Sequence, residues 1–294
     1  VHKIRFTGNF GGGKLNNYFE RLSQGEGRWN DIQTVDSGED TEVVVNCSRG
    51  CDLSNSIALQ MEPNSSIRKF PGIFKDLGGN RNKLKFAFDT KTYRNSIEWH
   101  ISPSYTDLKN EIPDLTKTKT LSTVVSAKRK LPGHRARIRL LIYLVDNLEI
   151  DVWGKGHAKK WISDSSPSRG REMGELPFRE KDIALFPFKY HLACENTPGE
   201  RNYFTEKIVD GILSECLCFY AGCPNLGDFI DSRSYIPIPV NDHAKTLQII
   251  QSSIASNQWE KRLPYILESK QKILDELQIY PTLERIINEE NNIF

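Results

Sequence analysis

No hydrophobic run in the chain is long enough to cross a bilayer as a helix. The longest apolar stretches, such as "LLIYLV" at 140–145, fall far short of the roughly 20 residues a span needs. The opening "VHKIRFTGNF" has no signal-peptide pattern, so the expectation is a soluble, cytoplasmic chain without a membrane span. Charge of one sign is also scarce in excess. Forty Lys and Arg stand against 38 Asp and Glu, a formal net charge of +2, which excludes a global electrostatic pull toward DNA or an anionic membrane. The six cysteines lack the paired CxxC units of a zinc site, and the expectation is buried free thiols. Internal repeats and low-complexity tracts are absent.

What is present is a globular composition. With 294 residues, 38% hydrophobic and 10% aromatic, the chain can build one large or two medium domains. In the first third, extended and helical signals alternate: "HKIRFTG" as strand, "KLNNYFERLSQ" as helix, then "TEVVVNC", "SIALQM", "KLKFAF" and "SIEWHIS" as apolar runs. The polar, Pro-containing "DLKNEIPDLTKTKT" at 107–120 reads as a linker, which places a boundary near 115. Beyond it come "TLSTVVS" as strand, "GHRARIRLLIYLVDN" as a helix opening at Gly133, "LEIDVWG" as strand, and "KDIALFPFKYHLAC" as one or two more. "YFTEKIVDGILSE" has helical spacing, "LCFYAG" and "SYIPIPV" are short strands, and from 242 the pattern is helical. Two α/β units follow, 1–114 and 115–260, with C-terminal helices over 261–294 expected to pack back across them. A ligand is expected between the units.

Three stretches carry candidate chemistry. Gly8, Gly13 and Lys14 fit the GxxxxGK phosphate-loop spacing, but Leu15 stands where a Ser or Thr should hold magnesium, so a flexible loop is the expectation there. The second stretch has eight Lys or Arg between Lys117 and Arg139 and no acid before Asp146. A strand, a loop and a helix starting at Gly133 would set free backbone N–H groups beside Lys128, His134, Arg135 and Arg137, a phosphate-binding arrangement. Arg137 is the leading residue because its guanidinium fork can grip two phosphate oxygens. A solvated basic face is the alternative, and the absence of aromatic residues in the loop argues against stacked nucleobases of a nucleic acid. In the third, "CENTPGERNYFTEK", Asn196 and Thr197 follow a strand and Tyr203 to Lys207 open a helix, so their side chains fall at the carboxyl edge of a parallel sheet. Glu206 could accept from sugar or ribose hydroxyls, Lys207 could meet a phosphate, and Tyr203 could pack on a ring. A plain first-turn capping arrangement explains these residues equally well.

"CENTPGERNYFTEKIVDGILSECLCFYAGCPNLGDFI" resembles the signature of glycosyltransferase family 10, the alpha-1,3-fucosyltransferase-like family: Glu-Asn-Thr, then Tyr-x-Thr-Glu-Lys, an apolar helix and a short strand. "LSTVVSAKRKLPGHRARIRLLIYLVDNLEIDVWGKG" is similar to that family's strand ending in Val-Val-Ser and its Arg-bearing helix, and "ALQMEPNS" is similar to a short acceptor-domain motif. The resemblance implies a GT-B architecture: two Rossmann-like domains facing an interdomain cleft, with the nucleotide sugar in the C-terminal one and no required metal. It implies Arg137 and Lys207 against the donor pyrophosphate, and Asn196, Tyr203 and Glu206 on nucleotide and sugar. Ser126, Lys128 and Arg135 are expected on the donor side, and the resemblance implies Glu62 as the catalytic base.

The implied reaction is an inverting transfer, with fucose from GDP-fucose as the default, to an oligosaccharide or glycoprotein glycan. A carboxylate would take the acceptor proton while fixed cations stabilise the departing diphosphate. Cys194 where the family commonly has Phe, "LCFYAG" after the helix, and the charge-rich "SAKRKLPGHRAR" all fall around the donor pocket. UDP-xylose or UDP-galactose are the alternative donors. A Golgi-type anchor outside this sequence is the alternative location, and a nucleic-acid- or phosphate-binding protein without catalysis is the alternative of another class.

Overall fold

The computed structural model describes residues 1–8, 15–45, 56–59, 85–88, 97–110, 115–156 and 171–291. Glu62, residues 9–14 of the glycine-rich loop, Cys47 and Cys51 lie outside the described residues. The chain divides into two compact units: 1–98 with 103–111 and 274–294, and 112–273 with 99–102.

In the first unit a sheet is built from β1 (His2–Gly8), β2 (Arg28–Trp29), β3 (Ile32–Thr34), β4 (Thr41–Val45), β5 (Ser56–Leu59) and β6 (Lys85–Phe88), in the order β2-β3-β1-β4-β5-β6. All its pairings are parallel except β2 with β3. Such strands are covered on both faces, which is why "TEVVV" ends in consecutive buried valines. The short helix α1 (Leu15–Glu20) buries Leu15, Tyr18 and Phe19, and the Phe19 ring stacks on Phe6 of β1 at 4.5 Å. A second short helix, α2 (Tyr105–Lys109), is closed by a Ser104–Asp107 capping box.

The second unit carries β7 (Lys119–Val124), β8 (Asp151–Trp153), β9 (Arg171–Gly174), β10 (Phe188–Cys194), β11 (Leu217–Ala221) and β12 (Tyr235–Pro237). Their order is β12-β11-β10-β7-β8-β9, and every pairing is parallel. Counted from β7, this is the 3-2-1-4-5-6 order of dinucleotide-binding folds, and the order reverses between β7 and β10. The helices are α3 (Pro132–Asn147), α4 (Glu206–Leu213), α5 (His243–Ala255) and α6 (Gln258–Lys272). All five residues of β11 are buried, as expected of a strand near the middle of such a sheet. After a π-helical turn at Ile273–Leu277 the chain ends in α7 (Ile279–Asn291).

Several expectations need correction. The stretch "SIEWHIS" contributes only an isolated bridge at Ile97 rather than a strand. The ends of the supposed linker are ordered: residues 107–109 belong to α2 and 119–120 to β7. Helix α4 starts at Glu206, so Tyr203 lies ahead of it, because Thr205 is extended and caps it. Apart from these corrections, the C-terminal segment is divided, with 261–273 in the second unit and 274–294 in the first. In the first unit α7 presents Ile279, Tyr280, Leu283, Ile286 and Ile287 to the core at helical spacing. Its Glu284 accepts from Trp29 Nε1 at 3.2 Å and Asn30 Nδ2 at 2.9 Å.

Candidate functional site

The site forms at the carboxyl end of the second sheet, where the strand order reverses. Ser126 follows β7, and Glu195 and Asn196 follow β10. Helices α3 and α4 both begin at this edge, which is where open parallel sheets bind ligands. Gly133 lets the start of α3 approach the loop after β10. A Cβ there would overlap the Asn196 carbonyl oxygen and come within 2.6 Å of Pro198 Cδ.

Arg137, one turn into α3, is 5% exposed. Its Nη1 donates to Asn196 Oδ1 at 2.7 Å and its Nη2 to Ser126 Oγ at 3.3 Å, while among the described residues the buried Nε has no partner. Burial draws the Arg137 pKa down, against the pull of Cys194 and Glu195, but a guanidinium stays charged throughout. His134 accepts from the Leu131 N–H at 3.3 Å, and burial together with Arg137 lowers its pKa. The first turn of α3 contains no acid, so its positive end is not neutralised by its own side chains.

The loop after β10 is held by a buried carboxylate. Glu195, with no exposed surface, accepts from the Thr205 N–H at 2.9 Å and from Thr205 Oγ1 at 2.8 Å. Thr205 is the N-cap of α4, so these bonds tie the strand end to the helix start. Glu195 is thus scaffold, and it explains why the Glu-Asn and Thr-Glu-Lys halves of the motif occur together. Asn202, at φ 60°, turns the chain between them; its backbone N–H donates to Asn225 Oδ1 at 2.9 Å and its Oδ1 accepts from Asn225 Nδ2 at 2.7 Å.

The first turn of α4 carries opposite charges. Lys207 Nζ lies 3.0 Å from Glu206 Oε1, 3.0 Å from Thr205 Oγ1 and 3.5 Å from Glu195 Oε2. Burial acts to raise the Glu206 pKa, but Lys207 and Lys181 outweigh it and hold the carboxyl well below its usual range. Burial acts to lower Lys207, and Glu206 and Glu195 raise it instead. Burial raises Glu195, with Lys207 opposing.

The structure therefore brings Ser126, Arg137 and Asn196 into one hydrogen-bonded group and Glu206 and Lys207 into another. Tyr203 is 2% exposed, with its ring packed inside the unit. Lys128 and Arg135 are exposed on the loop and the outer side of α3, where Arg135 Nη1 donates to the Arg129 carbonyl at 3.2 Å. Sequence reasoning missed Glu195, Lys181 and Asp210. An acid at 210 inside the apolar "IVDGIL" was the available signal; nothing in "REKDIALF" marks Lys181. Among the described residues no group of three or more His, Cys, Asp or Glu side chains is arranged to hold a metal ion, and no helix is long and apolar enough to cross a membrane. Cys194, Cys216, Cys218 and Cys223 are free and buried.

No family model and no curated protein matches the chain. Solved structures do. A glycosyltransferase from Rickettsia africae is similar over 99% of this chain and 98% of that one, at 11% identity and a TM-score of 0.56. The Anabaena protein HepE in complex with UDP and glucose is similar over 99% of this chain and all of that one (100%), at 9% identity and a TM-score of 0.52. The chain has the GT-B fold. An alpha1,3-fucosyltransferase solved with GDP is similar over 95% of this chain and 92% of that one, at 16% identity, with a TM-score of 0.46.

The first unit of this GT-B chain has its own cavity, of about 500 Å³, at the carboxyl end of β1. Its lining includes Arg5, Thr7, Asn16, Asn17 and Asp36, side chains able to donate to or accept from hydroxyl groups.

Proposed function

We propose that the chain is a nucleotide-sugar-dependent glycosyltransferase of the family 10 kind, transferring fucose from GDP-fucose to a hydroxyl of a glycan. The observation that carries this reading is Arg137. A buried guanidinium with an unpartnered Nε stands at the switch point of a 3-2-1-4-5-6 sheet, beside Asn196 and within the same edge as Lys207.

In this reading the diphosphate lies against Arg137, Lys207 and the start of α3. As the bond between the sugar's anomeric carbon and the phosphate oxygen breaks, negative charge grows on the leaving diphosphate, and fixed cations stabilise it without having to reorganise. The sugar passes through an oxocarbenium-like state. Glu62 removes the proton from the attacking acceptor hydroxyl, giving inversion, and the reaction needs no metal. Asn196 and Glu206 hold the nucleotide and sugar hydroxyls. The polar cavity at the end of β1 takes the acceptor glycan.

A UDP-linked sugar is the second reading of the donor. It rests on Cys194 and "LCFYAG", which depart from the family 10 pattern, and the Anabaena structure of the same fold holds UDP and glucose. The test is a transfer assay with GDP-fucose, UDP-glucose, UDP-xylose and UDP-galactose over a panel of glycans in the presence of chelator, read by mass spectrometry. Transfer by the wild type, with Glu62→Gln inactive but still binding donor, is the expected result. A glycan product formed equally by Glu62→Gln would remove the base from this reading, and no product with any donor would remove the activity.

A further inference from the structure

Lys181, on the 3-10 turn Lys181–Ala184 just before β10, has no place in the motifs read from sequence, yet it joins the charged turn of α4. Its Nζ lies 2.8 Å from Asp210 Oδ2 and 3.6 Å from Glu206 Oε1. Glu206 and Asp210 are four apart on α4, so both carboxylates project from one face of the helix and Lys181 spans them. Asp210, with a side chain 2% exposed, is committed on its other oxygen: Oδ1 accepts from the His100 N–H at 2.6 Å. The segment at 99–102 is itself fastened to the same 3-10 turn, through Lys181 N–H to the His100 carbonyl at 3.3 Å and Ser102 N–H to Asp182 Oδ1 at 2.8 Å. A lysine ammonium ordinarily rides on a flexible four-carbon stem. Here its backbone and its ammonium are both tied.

The consequence falls on Glu206. Both ammonium groups, Lys207 at 3.0 Å and Lys181 at 3.6 Å, address the same oxygen, Oε1. Among the described residues no hydrogen bond is made to Oε2. The carboxylate is therefore gripped by one oxygen and offers the other. Lys207 is also shared with Thr205 and Glu195, and Lys181 is the second cation on Glu206. An ionised carboxylate with a fixed free oxygen can only accept hydrogen bonds, which suits a substrate hydroxyl.

Resting on the nucleotide-sugar reading of this site, we propose that Lys181 is a positioning residue: acting through Glu206, it holds Oε2 ready to accept a hydroxyl of the donor, on the ribose or on the transferred sugar. It does not touch the donor. Its role is to keep Glu206 ionised and in one rotamer, with Asp210 and the 99–102 segment keeping Lys181 in turn.

The experiment is calorimetric titration of wild type, Lys181→Met, Lys181→Arg, Glu206→Gln and Lys181→Met/Glu206→Gln with GDP, 2′,3′-dideoxy-GDP and GDP-fucose, repeated with the uridine series. Lys181→Met should weaken binding about tenfold or more, the scale of a hydrogen bond to a charged group. Lys181→Arg should recover most of that loss, and Lys181→Met should add nothing once Glu206 is Gln. A loss for GDP that is absent with dideoxy-GDP assigns the hydroxyl to the ribose, and a loss confined to the sugar nucleotide assigns it to the sugar. If Lys181→Met leaves Asp210 uncompensated and does not fold, Lys181→Met/Asp210→Asn restores the charge balance and is read in its place. Wild-type affinity in Lys181→Met, or an equal loss for GDP, dideoxy-GDP and GDP-fucose that persists in the Glu206→Gln background, overturns the role of Lys181. A wild type that binds no nucleotide overturns the nucleotide reading itself.

Discussion

Arg137 and Asn196 meet at 2.7 Å, one from the first turns of α3 and the other from the loop after β10. The bond crosses the switch point of the sheet and holds a buried cation that would otherwise have one weak partner, Ser126 at 3.3 Å. Replacing Asn196 by Ala leaves both Nη1 and the already unpartnered Nε without an acceptor. Leaving such a buried donor unsatisfied costs about 1–3 kcal/mol. Urea unfolding of Asn196→Ala should show that loss, and an unchanged midpoint would mean the bond contributes little.

Gly133→Ala tests the packing that closes the same edge. Alanine is the better helix former by about 1 kcal/mol, which alone would stabilise α3. Its Cβ would overlap the Asn196 carbonyl and stand 2.6 Å from Pro198 Cδ, an overpacking worth about 1–3 kcal/mol against the fold. The net expected outcome is a lower urea midpoint with the loop after β10 displaced. A more stable variant would show that the loop yields freely.

His191 in β10 gives the unit a pH dependence. It is buried, its Nδ1 lies 2.9 Å from Ser122 Oγ, and burial, reinforced by Lys181 and Lys117, pushes its pKa down to about 3. A folded-state pKa below the unfolded value of about 6.5 means this stability is complete above pH 6.5 and is lost as pH falls toward 3. The contribution to the slope is at most about 1.4 kcal/mol per pH unit. His191→Gln should flatten stability between pH 6 and pH 4 relative to wild type. Parallel curves for the two proteins would show that His191 protonates without cost.

Thr205 has two tasks, capping α4 and donating to Glu195 at 2.8 Å. Thr205→Ala should cost about 1–2 kcal/mol from the cap, with more from the buried carboxylate left one donor short. Thr205→Ser should retain most of the stability. Thermal unfolding of the pair separates hydroxyl from methyl: equal losses in both variants would place the effect in packing instead.

The parts of this arrangement legible in sequence are those written in one stretch. Asn196, Glu206 and Lys207 sit within twelve residues, and the strand, glycine and helix before Arg137 have plain periodicity. The 3-2-1-4-5-6 order was not legible, because it depends on pairing between strands far apart in the chain, β7 with β10 above all. Lys181 was hidden for the same reason: its partners are in α4 and at His100, and its own neighbours are an ordinary charged turn. Charge density in the basic loop does not tell one cation from another: helix phase sends Arg137 inward and Arg135 outward, two positions apart on α3. The stretch "SIEWHIS" reads as an apolar run in sequence, yet its Glu98 and Trp99 are both buried, and the chain at 99–102 bonds to a 3-10 turn and a helix instead of a sheet.

Direct titration shows whether the edge holding Arg137 binds a nucleoside diphosphate. Wild type and Arg137→Ala would be titrated with GDP and UDP by calorimetry in chelator, with circular dichroism confirming that both are folded. Wild type should bind one of them measurably, and Arg137→Ala should lose about a hundredfold, as expected when a paired, charge-assisted contact to phosphate is removed. Equal affinity in the two proteins, or no binding of either nucleotide by the wild type, would contradict that expectation.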